Sequence, residues 1–117
     1  MDIDNAVQTH AQWKVKLRAA IASQQQMDVV TLSRDDCCEL GTWLHGEGRS
    51  RFGGLASHGD CVRKHLKFHT EVAKIATAVN ATRYTEAQGM LGAGTPFAQA
   101  SSALSMAFMQ LRKDANL

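Results

Sequence analysis

Apolar positions recur along this chain at steps of three and four residues, the period of an amphipathic helix. Over residues 2–24, Ile3, Ala6, Val7, Trp13, Leu17, Ala20 and Ile21 form one stripe. His10 falls inside it, four residues from Ala6 and three from Trp13, so its imidazole is expected to face the core. Residues 27–34 read as a linker. Ser33 followed by Asp36 reads as a helix start, with a hydroxyl and a carboxylate satisfying free backbone donors. A short second helix is then expected from about Asp35 to His45. Gly46, Gly48, Gly53 and Gly54, mixed with Arg49, Ser50 and Arg51, predict a mobile loop. A third helix begins near Ser57 to Asp60 and places Val62, Leu66, Val72, Ala73, Ala76 and Val79 on one face, together with His65 and His69. A weaker helical segment covers Tyr84 to Leu91. The Gly92 to Pro96 string breaks the chain and caps a last helix, Pro96 to Lys113, whose core positions are Phe97, Ala100, Leu104, Ala107, Phe108 and Leu111.

One proline in 117 residues, with many Ala, Gln, Met, Leu and Lys, supports the same all-α reading. The predicted fold is an antiparallel four-helix bundle, with an additional short helix carrying a cysteine, in a single domain over 1–117. The net charge of +2 comes from 13 basic and 11 acidic residues scattered along the chain. No basic stripe forms, so nucleic-acid binding is not expected. No run of about 18 apolar residues exists, and the acidic start Met1-Asp2-Ile3-Asp4-Asn5 lacks the layout of a signal peptide, so a cytoplasmic protein without a membrane span is expected. Three cysteines, two of them adjacent, do not make a disulfide framework and read better as thiols or metal ligands.

His65 and His69, four apart on one helix face, present two ring nitrogens to one point, the bite a metal requires. His10 faces inward from another helix. Three unpaired imidazoles in an apolar interior would cost several kcal/mol, and a shared cation removes that cost. The alternative is that a carbonyl or a buried water satisfies each ring separately. The fourth ligand stays open by periodicity. Cys37, Leu40, Gly41 and Leu44 form the stripe of the second helix, which places Cys37 in the core and Cys38 at its border.

Read together, three strings in order resemble the chemoreceptor zinc-binding (CZB) domain of bacterial chemotaxis receptors and certain diguanylate cyclases. They are His10 with Trp13; CxLGxW as Cys38, Leu40, Gly41 and Trp43; and HxxFH as His65, Phe68 and His69. The resemblance implies a Zn2+ ion held by His10, Cys38, His65 and His69, with Cys37 a neighbour. Trp13, Gly41, Trp43 and Phe68 then support the site, Gly41 by allowing close approach and Trp43 as an apolar lid. Four protein ligands leave no open position for a catalytic water, so no enzyme activity is expected. The thiolate is the oxidisable ligand, and its loss would free the short helix. The resemblance therefore implies a cytoplasmic sensor of zinc or of oxidants, serving chemotaxis or cyclic-di-GMP control. A purely structural zinc clamp for a docking or dimerisation module is the alternative.

Other positions carry less. Cys61, one turn before His65, is a candidate resolving thiol but more simply a buried cysteine. His45 and His58 are expected to be solvated rather than ligating. Arg49, Arg51, Arg63, Lys64 and Lys67 raise the thought of an anion site, against the plainer reading of a solvated face. Met106 and Met109 lie opposite the Phe97–Leu104–Leu111 stripe and suggest a partner surface, such as a homodimer. No cyclase motif or receptor hairpin is present. Output is therefore expected to pass to a signalling partner or a fused module outside these residues.

Overall fold

The computed structural model describes residues 2–117, so that Met1, the first residue of the expected domain, lies outside it. The described chain is all helical: α1 (Ile3–Ala11), α2 (Trp13–Ser23), α3 (Val29–Ser33), α4 (Glu39–His45), α5 (Glu47–Phe52), α6 (Ala56–Asn80), α7 (Tyr84–Gly89) and α8 (Pro96–Asp114). The expected first helix is present with one interruption at Gln12, whose backbone stays in the right-handed helical region. Hydrogen bonds from Gln12 N to Gln8 O and from Lys16 N to Gln12 O carry the ladder across it. Its stripe is the expected one, with Ala6, Leu17 and Ala20 buried and Ile3, Val7, Trp13 and Ile21 packed at the core's edge.

The 25-residue α6 is the central rod. It packs most extensively on α8, and then on α3. Phe68, Val72, Ile75 and Val79 of α6 meet Phe97, Leu104, Phe108 and Leu111 of α8 in the core. Every core position expected of α8 is buried. Its start also follows from local chemistry: Thr95 accepts a hydrogen bond from Ala98 N at 3.2 Å, and Pro96, which has no backbone donor to leave unpaired, opens the helix. On α6 the expected face shifts slightly. Leu66 is 47 % exposed, and Cys61 and Ile75 take buried places on the stripe.

Three local expectations give way. The 27–34 linker contains α3, because Asp28 accepts from Thr31 N at 3.2 Å and caps a helical turn. The second helix starts at Glu39 rather than near Asp35. Ser33 Oγ donates to Val30 O instead, Asp36 is held by the Arg34 guanidinium, and the N-cap is Cys38. The glycine-rich loop is largely the helix α5. Gly48 is buried there, with no room for a Cβ beside the Trp43 ring and carbonyl, each 2.9 Å away. The Glu47–Arg51 pair at 3.2 Å spans one helical turn of α5. At Gly48 a residue that weakens a helix by propensity serves as a spacer for an aromatic ring.

Candidate metal centre

Four ligand atoms from three segments converge. His10 comes from the end of α1, Cys38 from the residue before α4, and His65 and His69 from successive turns of α6. Their metal-binding atoms all lie within 4.8 Å of one another. His10 Nε2 is 3.2 Å from His65 Nε2, which is 3.0 Å from His69 Nε2. Cys38 Sγ lies 3.7, 3.2 and 3.6 Å from the Nε2 atoms of His10, His65 and His69. A tetrahedral zinc with bonds of about 2.0–2.1 Å to nitrogen and about 2.3 Å to sulfur has edges of about 3.4–3.6 Å. Five edges of the cluster, at 3.0–3.7 Å, are close to those of that tetrahedron.

The hydrogen bonds around it decide what the inward nitrogens are. His10 Nδ1 donates to the Ala6 carbonyl at 2.8 Å, and His69 Nδ1 donates to the Leu32 carbonyl at 2.9 Å. A carbonyl can only accept, so in the neutral rings both Nε2 atoms turn bare lone pairs toward the other rings and the thiol. The Cys38 thiol and a protonated His65 Nε2 can donate to them, and a cation at the centre suits all four atoms at once. Backbone carbonyls thus satisfy the outer nitrogens of His10 and His69 alone, and the inner ones are left to the cluster. His65 Nδ1 is buried without a partner among the described residues.

Burial favours the ligating, neutral form of the His10 and His65 rings. It lowers the His10 imidazole and, joined by the charges of His69 and His10, takes His65 down to about 3. Burial also pushes the Cys38 thiol up, opposed by the Gly41 N–H that donates to Sγ at 3.3 Å. A cation held by the sulfur reverses that preference, since metal ligation deprotonates a thiol.

Helix α4 explains the choice between the two cysteines. Leu40, Gly41 and Leu44 are buried as the wheel requires, but the helix begins at Glu39, so Cys37 is not on the wheel at all and is exposed. Gly41 is the tightest point of the site. A Cβ there would lie 1.6 Å from the Asp35 carbonyl oxygen and 3.1 Å from His65 Cε1. The close approach expected of this glycine is made by its own preceding strap and by a ligand ring. Phe68 is fully buried, its ring centroid 5.5 Å from that of His10 and 5.7 Å from that of His69. Trp13 sits at the core's edge with the Lys16 ammonium 5.0 Å from its ring centre. Trp43 packs on Phe52 and Gly48, bracing α4 against α5 rather than lidding the cluster.

Two histidines lie outside the centre, as expected, but only one is exposed. His45 binds Asp35 at 2.9 Å on the surface. His58 is 6 % exposed and gives its Nε2 proton to the Leu44 carbonyl at 2.8 Å, tying α6 to the end of α4. Its burial was readable in the spacing, since His58, Cys61, His65 and Phe68 follow one α6 stripe. Cys61 is fully buried, and that burial pushes its thiol up to about 12, the behaviour of an inert core cysteine. The positioning carbonyl of Leu32 has no side-chain signal by which sequence could reveal it.

A model of the chemoreceptor zinc-binding domain matches residues 10–76, which run from the first ligand past the last. No curated protein and no solved structure matches the chain.

Proposed function

The chain belongs to the chemoreceptor zinc-binding domain family, and on that premise we propose that it is a regulatory zinc module of bacterial signalling. In this reading His10, Cys38, His65 and His69 are the four zinc ligands, and no position is left for a catalytic water. When bound, Zn2+ supplies the positive charge that holds Cys38 as a thiolate. The α1–α2 rod, α6 and α8, with the α3–α4 strap as a fourth wall, form the antiparallel bundle around the site.

The observation that carries the proposal is the double duty of Cys38. Its sulfur is both a member of the cluster and the N-cap of the seven-residue α4. Withdrawing that sulfur, by zinc depletion or by oxidation to a sulfenic acid, removes the cap and the tether of α4 in one event. The position and order of α4 are then the output, read by a signalling partner in the cytoplasm that controls chemotaxis or cyclic-di-GMP. Met106 and Met109, 72 % and 68 % exposed on α8, offer the face for a homodimer.

The purified chain should bind one zinc. Cys38→Ala should lose it or weaken it by several orders of magnitude, and Cys37→Ala should retain it. Titration with hypochlorous acid should release zinc while the helical signal of α6 and α8 persists. The structural-clamp reading draws support from the carbonyl ties of Ala6 and Leu32, which lock two ligand rings. Under that reading zinc stays bound until the whole chain unfolds, and this outcome would replace the sensor.

A further inference from the structure

Where α4 ends at His45, an open hollow of about 580 Å3 lies between α5 and the first turns of α6. We propose that it binds a phosphate group, free or as the monoester of a small molecule. Arg49 of α5 and Arg63 of α6 line one cavity from different helices, and the forked donors of a guanidinium match phosphate oxygens. Among the described residues no carboxylate pairs with Arg49. Arg63 has only Asp60, 3.5 Å away with both side chains well exposed, a contact too weak to hold it from a ligand. The His45 ring on the rim is engaged with Asp35.

His58 sets the kind of anion. Its Nε2 proton goes to the Leu44 carbonyl, so Nδ1 of the neutral ring is an acceptor, and among the described residues no group donates to it. Inorganic phosphate keeps one P–OH at neutral pH and a monoester keeps its own below a second pKa of about 6; either form offers unprotonated oxygens to the arginines and that proton to the acceptor. A carboxylate has no proton to give. The positive end of the 25-residue α6 adds to the attraction, since Leu55 caps it without a side-chain hydrogen bond and His58 and Gly59 lie in its opening turns. Gly59 itself points the same way. A glycine inside a helix costs about 1 kcal/mol relative to alanine, yet no backbone crowds it. The one atom near its missing Cβ is Arg63 Nη1 at 3.5 Å. Its effect is to leave room in the hollow.

The test is calorimetric titration of the zinc-loaded chain, at fixed ionic strength, with inorganic phosphate, glycerol 3-phosphate and acetate. Either phosphate compound should bind and acetate should not; binding of glycerol 3-phosphate alone would identify a monoester as the ligand. Arg49→Ala and Arg63→Ala should each weaken binding at least tenfold. Arg51→Ala, whose residue is paired with Glu47 and does not line the hollow, should leave it unchanged. Gly59→Leu fills the hollow with a better helix former, so it should abolish binding while the thermal midpoint holds or rises. Failure of both phosphates to bind, equal binding of acetate, or undiminished binding by the two arginine variants or by Gly59→Leu would overturn the site and leave a solvated basic face.

Discussion

Cys38 and Gly41 act as a pair. The glycine N–H donates to the sulfur, and the missing Cβ admits the Asp35 carbonyl that closes the strap over His65. Gly41→Ala places a carbon against backbone atoms, which cannot swing aside as a side chain could. The expected cost is about 1–3 kcal/mol or more, with weaker zinc binding, measured by denaturant unfolding and a chelator competition. Gly54→Ala, where a Cβ meets nothing within 4 Å, is the control and should be close to neutral. Protons act at the same scale. A histidine in the unfolded chain titrates near 6.5, while burial and its ring neighbours take His65 down to about 3. Between those values the unfolded state binds more protons, so this contribution is complete above 6.5 and is lost as pH falls from 6.5 toward 3. Urea unfolding of metal-free protein should therefore show a loss between about pH 7 and about pH 5 that is smaller in His65→Gln; equal losses would remove His65 as the cause. The imidazoles were legible from their place on the helix stripes. The thiol was not, because periodicity reports on residues inside a helix and Cys38 lies just before one. Only the resemblance carried by Leu40, Gly41 and Trp43 selected it.

Among the elements, the strap from Met27 to Cys38 is the part whose order the site depends on. It is anchored at its start by Asn80, whose side-chain amide accepts from Met27 N and donates to Met27 O, both at 2.8 Å. Five residues later the same strap supplies the Leu32 carbonyl that orients His69. Asn80→Ala removes both hydrogen bonds from a half-buried backbone unit, a loss of about 1–3 kcal/mol. It should also weaken zinc binding several-fold without touching a ligand, which competition with a zinc chelator would read. Unchanged zinc affinity in a destabilised variant would confine Asn80 to a structural role. Strong stripes made the α1–α2 rod, α6 and α8 readable, to within a few residues at each end. The short elements were harder. The first turn of α3 is set by one Asp28–Thr31 contact, and α5 forms where glycine content argues for a loop because Trp43 needs Gly48 beneath it. In both, tertiary packing overrides local propensity.

The site joins distant parts of the chain: 55 residues separate His10 from His65, and 28 separate His10 from Cys38. Metal binding should therefore stabilise the assembled state as a whole, and by mass action. Free zinc at about a thousand times its dissociation constant adds about 4 kcal/mol. At roughly 4 °C per kcal/mol for a chain of this size, the thermal midpoint should rise by on the order of 15 °C. Calorimetric scans across a series of buffered zinc concentrations should trace that rise, and a midpoint indifferent to chelation would sink it. The loss should not be spread evenly when zinc is removed. Val72, Ile75 and Val79 of α6, all beyond its last ligand, are buried with Phe97 and Leu111 of α8 in the core. The strap and α4 have far less of their own: Leu40 and Leu44 are the large buried side chains there. Amide exchange in chelated protein should consequently accelerate first between Asp28 and His45, while the facing positions of α6 and α8 stay protected. Uniform acceleration along the chain would mean that zinc supports the whole core equally, and that α4 is no separate responding element.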